Sequence, residues 1–89
     1  MKKVLCVCGV GQGTSLLLKM NVADILDEKG ISADVDNCDL TSANGESADL
    51  IVTNSEFAKQ INNSAPIVIV ENYFDKNEIK EKLEEYLNK

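Results

Sequence analysis

Residues 3–7 read Lys-Val-Leu-Cys-Val, an apolar run without alternation. Such a run predicts a strand buried on both faces. Residues 16–29 follow the helical period instead: Leu18, Val22, Ile25 and Leu26 share one face. Thr14 and Ser15 are good caps for that helix, and Gly30 suits the position just past its end. Residues 31–36 alternate apolar and polar, which predicts a second strand near a sheet edge. Residues 37–47 are polar and contain Gly45, which predicts a connecting segment with room for a helical turn. Residues 49–53 read as a third, buried strand.

A short helix over residues 55–61, capped by Asn54 or Ser55, precedes a fourth buried strand over residues 66–70. Proline is tolerated at a strand's first residue. The last helix covers residues 75–87, with Ile79, Leu83, Tyr86 and Leu87 on its apolar side and Glu78 four residues before Lys82. Strands alternating with helices predict an α/β fold: a four-stranded parallel sheet, doubly wound with about three helices. Residues 1–89 make one domain, with no internal repeat or linker.

Charge narrows the partners. A net charge of −6 argues against nucleic acid and anionic lipid, both of which call for clustered cations. A bound phosphate must then be held by local geometry. No apolar stretch approaches the roughly 18 residues of a membrane span, and residues 1–7 lack the long apolar core of a signal peptide. The expected location is the cytoplasm. Three cysteines make a poor disulfide framework, and the absence of histidine removes histidine acid–base chemistry and most Cys/His zinc sites. No metal or organic cofactor is implied.

Candidate chemistry concentrates in Cys-Gly-Val-Gly-Gln-Gly-Thr-Ser, residues 8–15. In open parallel sheets the ligand site lies beyond the carboxyl ends of the strands. Cys8 follows the first strand, and Asn37, Cys38, Asn54, Glu71 and Asn72 follow the others. Gly9, Gly11 and Gly13 let the backbone approach an oxyanion closely, and their N–H groups, with those of the helix start, suit a tetrahedral phosphate. The same groups would lower the Cys8 thiol pKa. A thiolate beside a phosphate-shaped cradle is equipped to take a phosphoryl group.

Other phosphate loops fit less well. No lysine precedes Thr14 as in a nucleotide-binding P-loop, and the dinucleotide glycine spacing fails at Thr14. A tyrosine-phosphatase loop needs an arginine, and the chain has none. A phosphohistidine donor carries its own good leaving group and suits a site without these aids.

The start KVLCVCGVGQGTSLLLKM resembles the enzyme IIB components of the bacterial phosphoenolpyruvate-dependent sugar phosphotransferase system (PTS). The ascorbate-type branch is nearest, with Cys-Gly-x-Gly-Gln-Gly-[Ser/Thr]-Ser. The galactitol and lactose branches keep the cysteine but depart within the loop. The resemblance implies a Rossmann-like fold similar to that of low-molecular-weight tyrosine phosphatases. It implies that Cys8 takes phosphate from a phosphohistidine on a IIA protein. Cys8 would then deliver it to a sugar or ascorbate-like solute held by a membrane IIC transporter, with which the protein associates peripherally. Gly9, Val10, Gly11, Gln12, Gly13, Thr14 and Ser15 would form the phosphate loop. The chain reads as a lone, monomeric IIB unit.

Several residues carry two readings. Cys6 reads as core, whereas Cys38 packs near the rim or acts as a resolving thiol. Leu16, Leu17 and Met20 fall off the inward stripe and either widen the core face or form a docking patch around Cys8. Tyr73 and Phe74 invite the same choice. The rivals to a phosphocarrier are a small cysteine phosphatase and a thiol-based redox or regulatory module.

Overall fold

The computed structural model describes the backbone of residues 3–7 and 12–87 and the side chains of residues 3–7 and 16–87. Its elements are β1 (Lys3–Val7), α1 (Gln12–Glu28), β2 (Asp34–Cys38), α2 (Leu40–Gly45), β3 (Leu50–Thr53), α3 (Ser55–Ala58), β4 (Ile67–Ile69) and α4 (Lys76–Leu87). The four strands form one parallel sheet in the order β2-β1-β3-β4. The chain moves one way from β1 to β2 and the other way from β3 to β4. Right-handed crossovers then require helices on both faces.

The side chains sort accordingly. On one face Val4, Cys6, Leu50, Val52, Val68 and Val70 pack with Leu18, Val22, Ile25 and Leu26 of α1 and Ile79 and Leu83 of α4. On the other, Leu5, Val7 and Ile51 pack with Ala43 of α2 and with Ile61, Ala65 and Ile67. β1 is central, and Val4 through Val7 are all buried. The apolar stripe predicted for α1 is the stripe that packs. Salt bridges Lys29–Glu84 (2.8 Å) and Lys76–Glu28 (3.1 Å) tie α1 to α4 across partly exposed surface. Such pairs contribute little beyond alignment.

Gly30 closes α1 as expected. Its φ is +72°, its N–H donates to Asp27 O at 3.0 Å, and the Ile31 N–H donates to Leu26 O at 2.9 Å. That pair of bonds is the Schellman arrangement, which needs a left-handed residue at this point.

Four expectations are corrected. The polar connection holds a fourth helix, α2, whose first turn is capped by Asp39 accepting the Ser42 N–H at 2.7 Å. β2 lies further along than residues 31–36, because Lys3 at the start of β1 pairs with Asp34. Ile31, Ala33 and Val35 still face the core in alternation. Asn37 and Cys38 therefore end the strand rather than follow it. β4 is an edge strand and not buried on both faces: four-residue α3 covers too little of it, and Ile69 is 42% exposed.

Candidate functional site at the carboxyl edge of the sheet

The direction of strand order reverses between β1 and β3, the place where open parallel sheets hold ligands. Val7 ends β1 there, and Thr53 ends β3 beside it. α1 is helical from Gln12 onward, four residues sooner than the periodicity suggested. Thr14 and Ser15 consequently sit inside the first turn rather than at a cap position. A first turn leaves its N–H groups without intrahelical partners. Cys8, Gly9, Val10 and Gly11 lie outside the described residues. Gln12, Gly13, Thr14 and Ser15 are described as helix backbone.

One atom gathers the elements around this point. The Thr53 hydroxyl donates to the Val7 carbonyl oxygen at 3.1 Å, and the Tyr73 hydroxyl donates to the same oxygen at 3.1 Å. The two hydroxyl oxygens are 3.5 Å apart. Thr53 is the one buried polar residue among the described residues. Tyr73 is placed by its surroundings. Asn21 of α1 donates from Nδ2 to the Tyr73 carbonyl at 3.2 Å. The Glu78 carboxylate accepts the N–H groups of Glu71 at 2.8 Å and Asn72 at 3.1 Å. The ion pair expected between Glu78 and Lys82 is thus replaced, since Lys82 sits 3.7 Å from Glu85. Fixed backbone donors in the segment between β4 and α4 outcompete an exposed lysine.

The docking role considered for Tyr73 requires an exposed ring, and the structure buries it to 5% exposure. Phe74 turns outward at 70% exposure. Leu16 and Met20, at 50% and 55%, are exposed on α1 rather than part of a wider core face. Leu17 is half-buried. The remaining rim residues have local duties. Asn54 caps α3 by accepting the Phe57 N–H at 2.8 Å, and the Glu71 carboxylate accepts the Ser55 N–H at 3.3 Å.

The described thiols differ sharply from the electropositive setting a nucleophile needs. Burial pushes the Cys6 thiol up to about 12, with Cys38 and Asp36 adding to the shift and Lys19 opposing it. Cys6 is core, as expected. Cys38 stands opposite Val7 in the β1–β2 register. Its pKa is raised by burial first, then by the Asp39, Glu46 and Asp36 carboxylates, against the pull of Lys3. A thiol so placed is a slow one. Its approach to Cys8 lies outside the described residues.

Sequence reasoning missed Thr53 and Asn21, and for Tyr73 it left the core and docking readings open, of which the core reading holds. Threonine is an ordinary strand residue, and partners 46 and 66 positions from Val7 leave no local signal. Among the described residues, no helix is long and apolar enough to cross a membrane, and no cluster of His, Cys, Asp or Glu is set to hold a metal.

Comparison with known proteins agrees with this architecture. The family described as "PTS system, Lactose/Cellobiose specific IIB subunit" matches residues 3–85. An ascorbate-specific PTS system EIIB component of Mycoplasma pneumoniae is 36% identical over 88 residues, covering 94% of this chain and 93% of that one. Its counterpart in Escherichia coli O157:H7 is 34% identical over 61 residues, covering 66% of this chain and 60% of that one. The lactose-specific IIB component domain of Streptococcus pneumoniae shares the fold with a TM-score of 0.61 at 16% identity, covering 97% and 94% of the two chains. With its four-stranded parallel sheet and a family match over nearly its full length, the chain belongs to the lactose/cellobiose-specific IIB subunit family of the sugar phosphotransferase system.

Proposed function

We propose that this IIB chain is a cytoplasmic phosphocysteine carrier acting through Cys8. The Cys8 thiolate attacks the phosphorus of a phosphohistidine on a IIA protein. The S–P bond forms as the N–P bond breaks, and the imidazole leaves. In the second step a hydroxyl oxygen of the solute attacks phosphorus, its proton passes to water, the S–P bond breaks and the thiolate returns. The solute is a sugar or an ascorbate-like molecule held by a membrane IIC transporter; the ascorbate-specific relatives favour the latter. Gly9, Val10, Gly11, Gln12, Gly13, Thr14 and Ser15 cradle the phosphoryl oxygens, and the chain works as a monomer that docks on IIC.

The observation that carries this reading is where the motif is anchored. β1 leads into it at the reversal of strand order, and α1 begins from within it at Gln12. The motif is therefore flanked by the end of β1, at the carboxyl edge of the sheet, and by a helix N-terminus of the kind that favours anions. With no arginine or histidine in the chain, stabilisation of the transferred group falls to backbone N–H donors and positioning. The exposed Leu16, Met20 and Phe74, with Leu17 partly covered, supply an apolar contact for the IIA partner and keep water from the phosphorus.

The test mixes the protein with phosphoenolpyruvate, the general phosphotransferase proteins and a matching IIA, and weighs it intact. A single phosphate adduct that disappears in Cys8→Ser supports the carrier. No adduct with several IIA proteins overturns it. Sustained hydrolysis of p-nitrophenyl phosphate would point to a phosphatase instead.

A further inference from the structure

We infer that Thr53 and Tyr73 are positioning residues for the Cys8 thiol, acting through the carbonyl of Val7 on which both hydroxyls converge. This deepens the carrier reading and rests on Cys8 being the nucleophile. The bland account is that two buried hydroxyls merely found an acceptor. The placement says more. The acceptor belongs to the last described residue before Cys8, and its donors come from the end of β3 and from the segment after β4. A carbonyl oxygen has two lone pairs, so both bonds can form at once, each at 3.1 Å. In that state the 3.5 Å approach of the two hydroxyls is a contact rather than a third bond.

The consequence follows from covalent geometry. A peptide unit is planar, so holding its carbonyl fixes the plane and the direction in which the chain leaves it. The clamp thus fixes the plane of the peptide by which β1 leads toward Cys8. It also resists rotation there when a phosphoryl donor arrives. Asn21 extends the clamp into α1 by holding the Tyr73 carbonyl at 3.2 Å. The two flanks of residues 8–11, β1 and α1, are in this way referenced to one tyrosine.

Three variants test the role: Thr53→Val and Tyr73→Phe remove one hydroxyl each with little change of shape, and Thr53→Ser keeps the hydroxyl. Two measurements are made on folded protein. One is phosphorylation of the chain by phospho-IIA, with kcat and KM for the donor separated. The other is the iodoacetamide alkylation rate of Cys8 at one fixed pH, read by peptide mass. The expected result is a fall in kcat of about 3- to 10-fold for Thr53→Val and Tyr73→Phe, the worth of one hydrogen bond, with KM unchanged. Cys8 alkylation slows in the same two variants, and Thr53→Ser restores both readouts. Wild-type kcat and alkylation in folded Tyr73→Phe and Thr53→Val overturn the inference, even where the melting temperature drops. Should Thr53→Val fail to fold, Tyr73→Phe alone decides by the same criteria. Failure of the wild type to take phosphate from any donor would sink the carrier reading, while alkylation still reports on the clamp.

Discussion

Cys6 offers a sharp test of the packing around β1, because its buried thiol must respond to alkali. It sits in the middle of β1 with no exposure, among Val4, Leu50, Val52 and the α1 stripe. Burial raises its pKa from an ordinary 9.0 to about 12 in the folded chain. The sign follows directly. The unfolded chain releases this proton first as pH rises, so the stabilisation is complete below the unfolded value and is lost on the way to the folded one. Between about pH 8 and about pH 10 the linkage amounts to about 1.4 kcal/mol, since one pKa unit corresponds to about 1.4 kcal/mol. Cys6→Ala removes this dependence and leaves a small void costing about 1 kcal/mol at either pH. Urea unfolding under reducing conditions, run on both proteins at both pH values, isolates the effect. Titration of lysines, tyrosines, Cys8 and Cys38 is common to the two proteins and cancels in the difference. The wild type should lose about 1.4 kcal/mol more than Cys6→Ala over this range. Equal losses would mean that the Cys6 thiol is open to water, and the reading of β1 as a strand buried on both faces would fall.

Other perturbations probe the remaining elements. Gly30→Ala should destabilise by about 1 kcal/mol in chemical denaturation, because φ is +72° and no atom within 4 Å would meet the new methyl group, leaving only the conformational cost. Asn63→Ala should cost about 1–3 kcal/mol: its amide donates to Ala43 O at 2.8 Å and Glu46 O at 2.7 Å and accepts the Ala65 N–H at 3.0 Å, tying the end of α2 to the approach to β4. Leu16→Asp combined with Met20→Asp should leave the melting temperature unchanged, since both side chains are half exposed. The same pair should raise the IIA concentration needed for half-maximal phosphorylation about tenfold. An unchanged requirement in the phosphorylation assay would remove α1 from the docking surface.

What could be read in advance followed local rules. The α1 stripe of Leu18, Val22, Ile25 and Leu26 was legible because helical periodicity and burial coincide there. Gly30 was legible because few residues accept a left-handed conformation. α2 escaped because a six-residue helix that buries only Ala43 has too few apolar positions to show a period. Its readable signal was the cap, Asp39 three residues before Ser42. The cysteine-glycine motif suggests chemistry from residue types alone, whereas the hydroxyl pair at the end of β1 left no such signal. Thr53 and Tyr73 reach Val7 only after the sheet has brought residues 46 and 66 positions away to one point. Pairings of that range have no signature in a window of ten residues.

A carrier that takes a group from one partner and gives it to another must offer the same reacting edge twice, so its edge and its core have to be separable. The structure divides them. Every residue of β1 from Val4 to Val7 is buried, held between α1 and α4 on one side and α2 on the other. The exposed apolar side chains Leu16, Met20 and Phe74 contribute to neither core cluster. On the proposed reading, exchange of partners on that surface leaves the packing of β1 untouched. The thiols divide the same way: Cys6 faces the layer under α1, and Cys38 packs with the opposite layer near Val7. Both thiols are shifted upward chiefly by burial, so neither of the two described cysteines has the setting of a nucleophile. On the proposed reading, selectivity among three cysteines within one small sheet comes from strand alternation and burial rather than from any dedicated base.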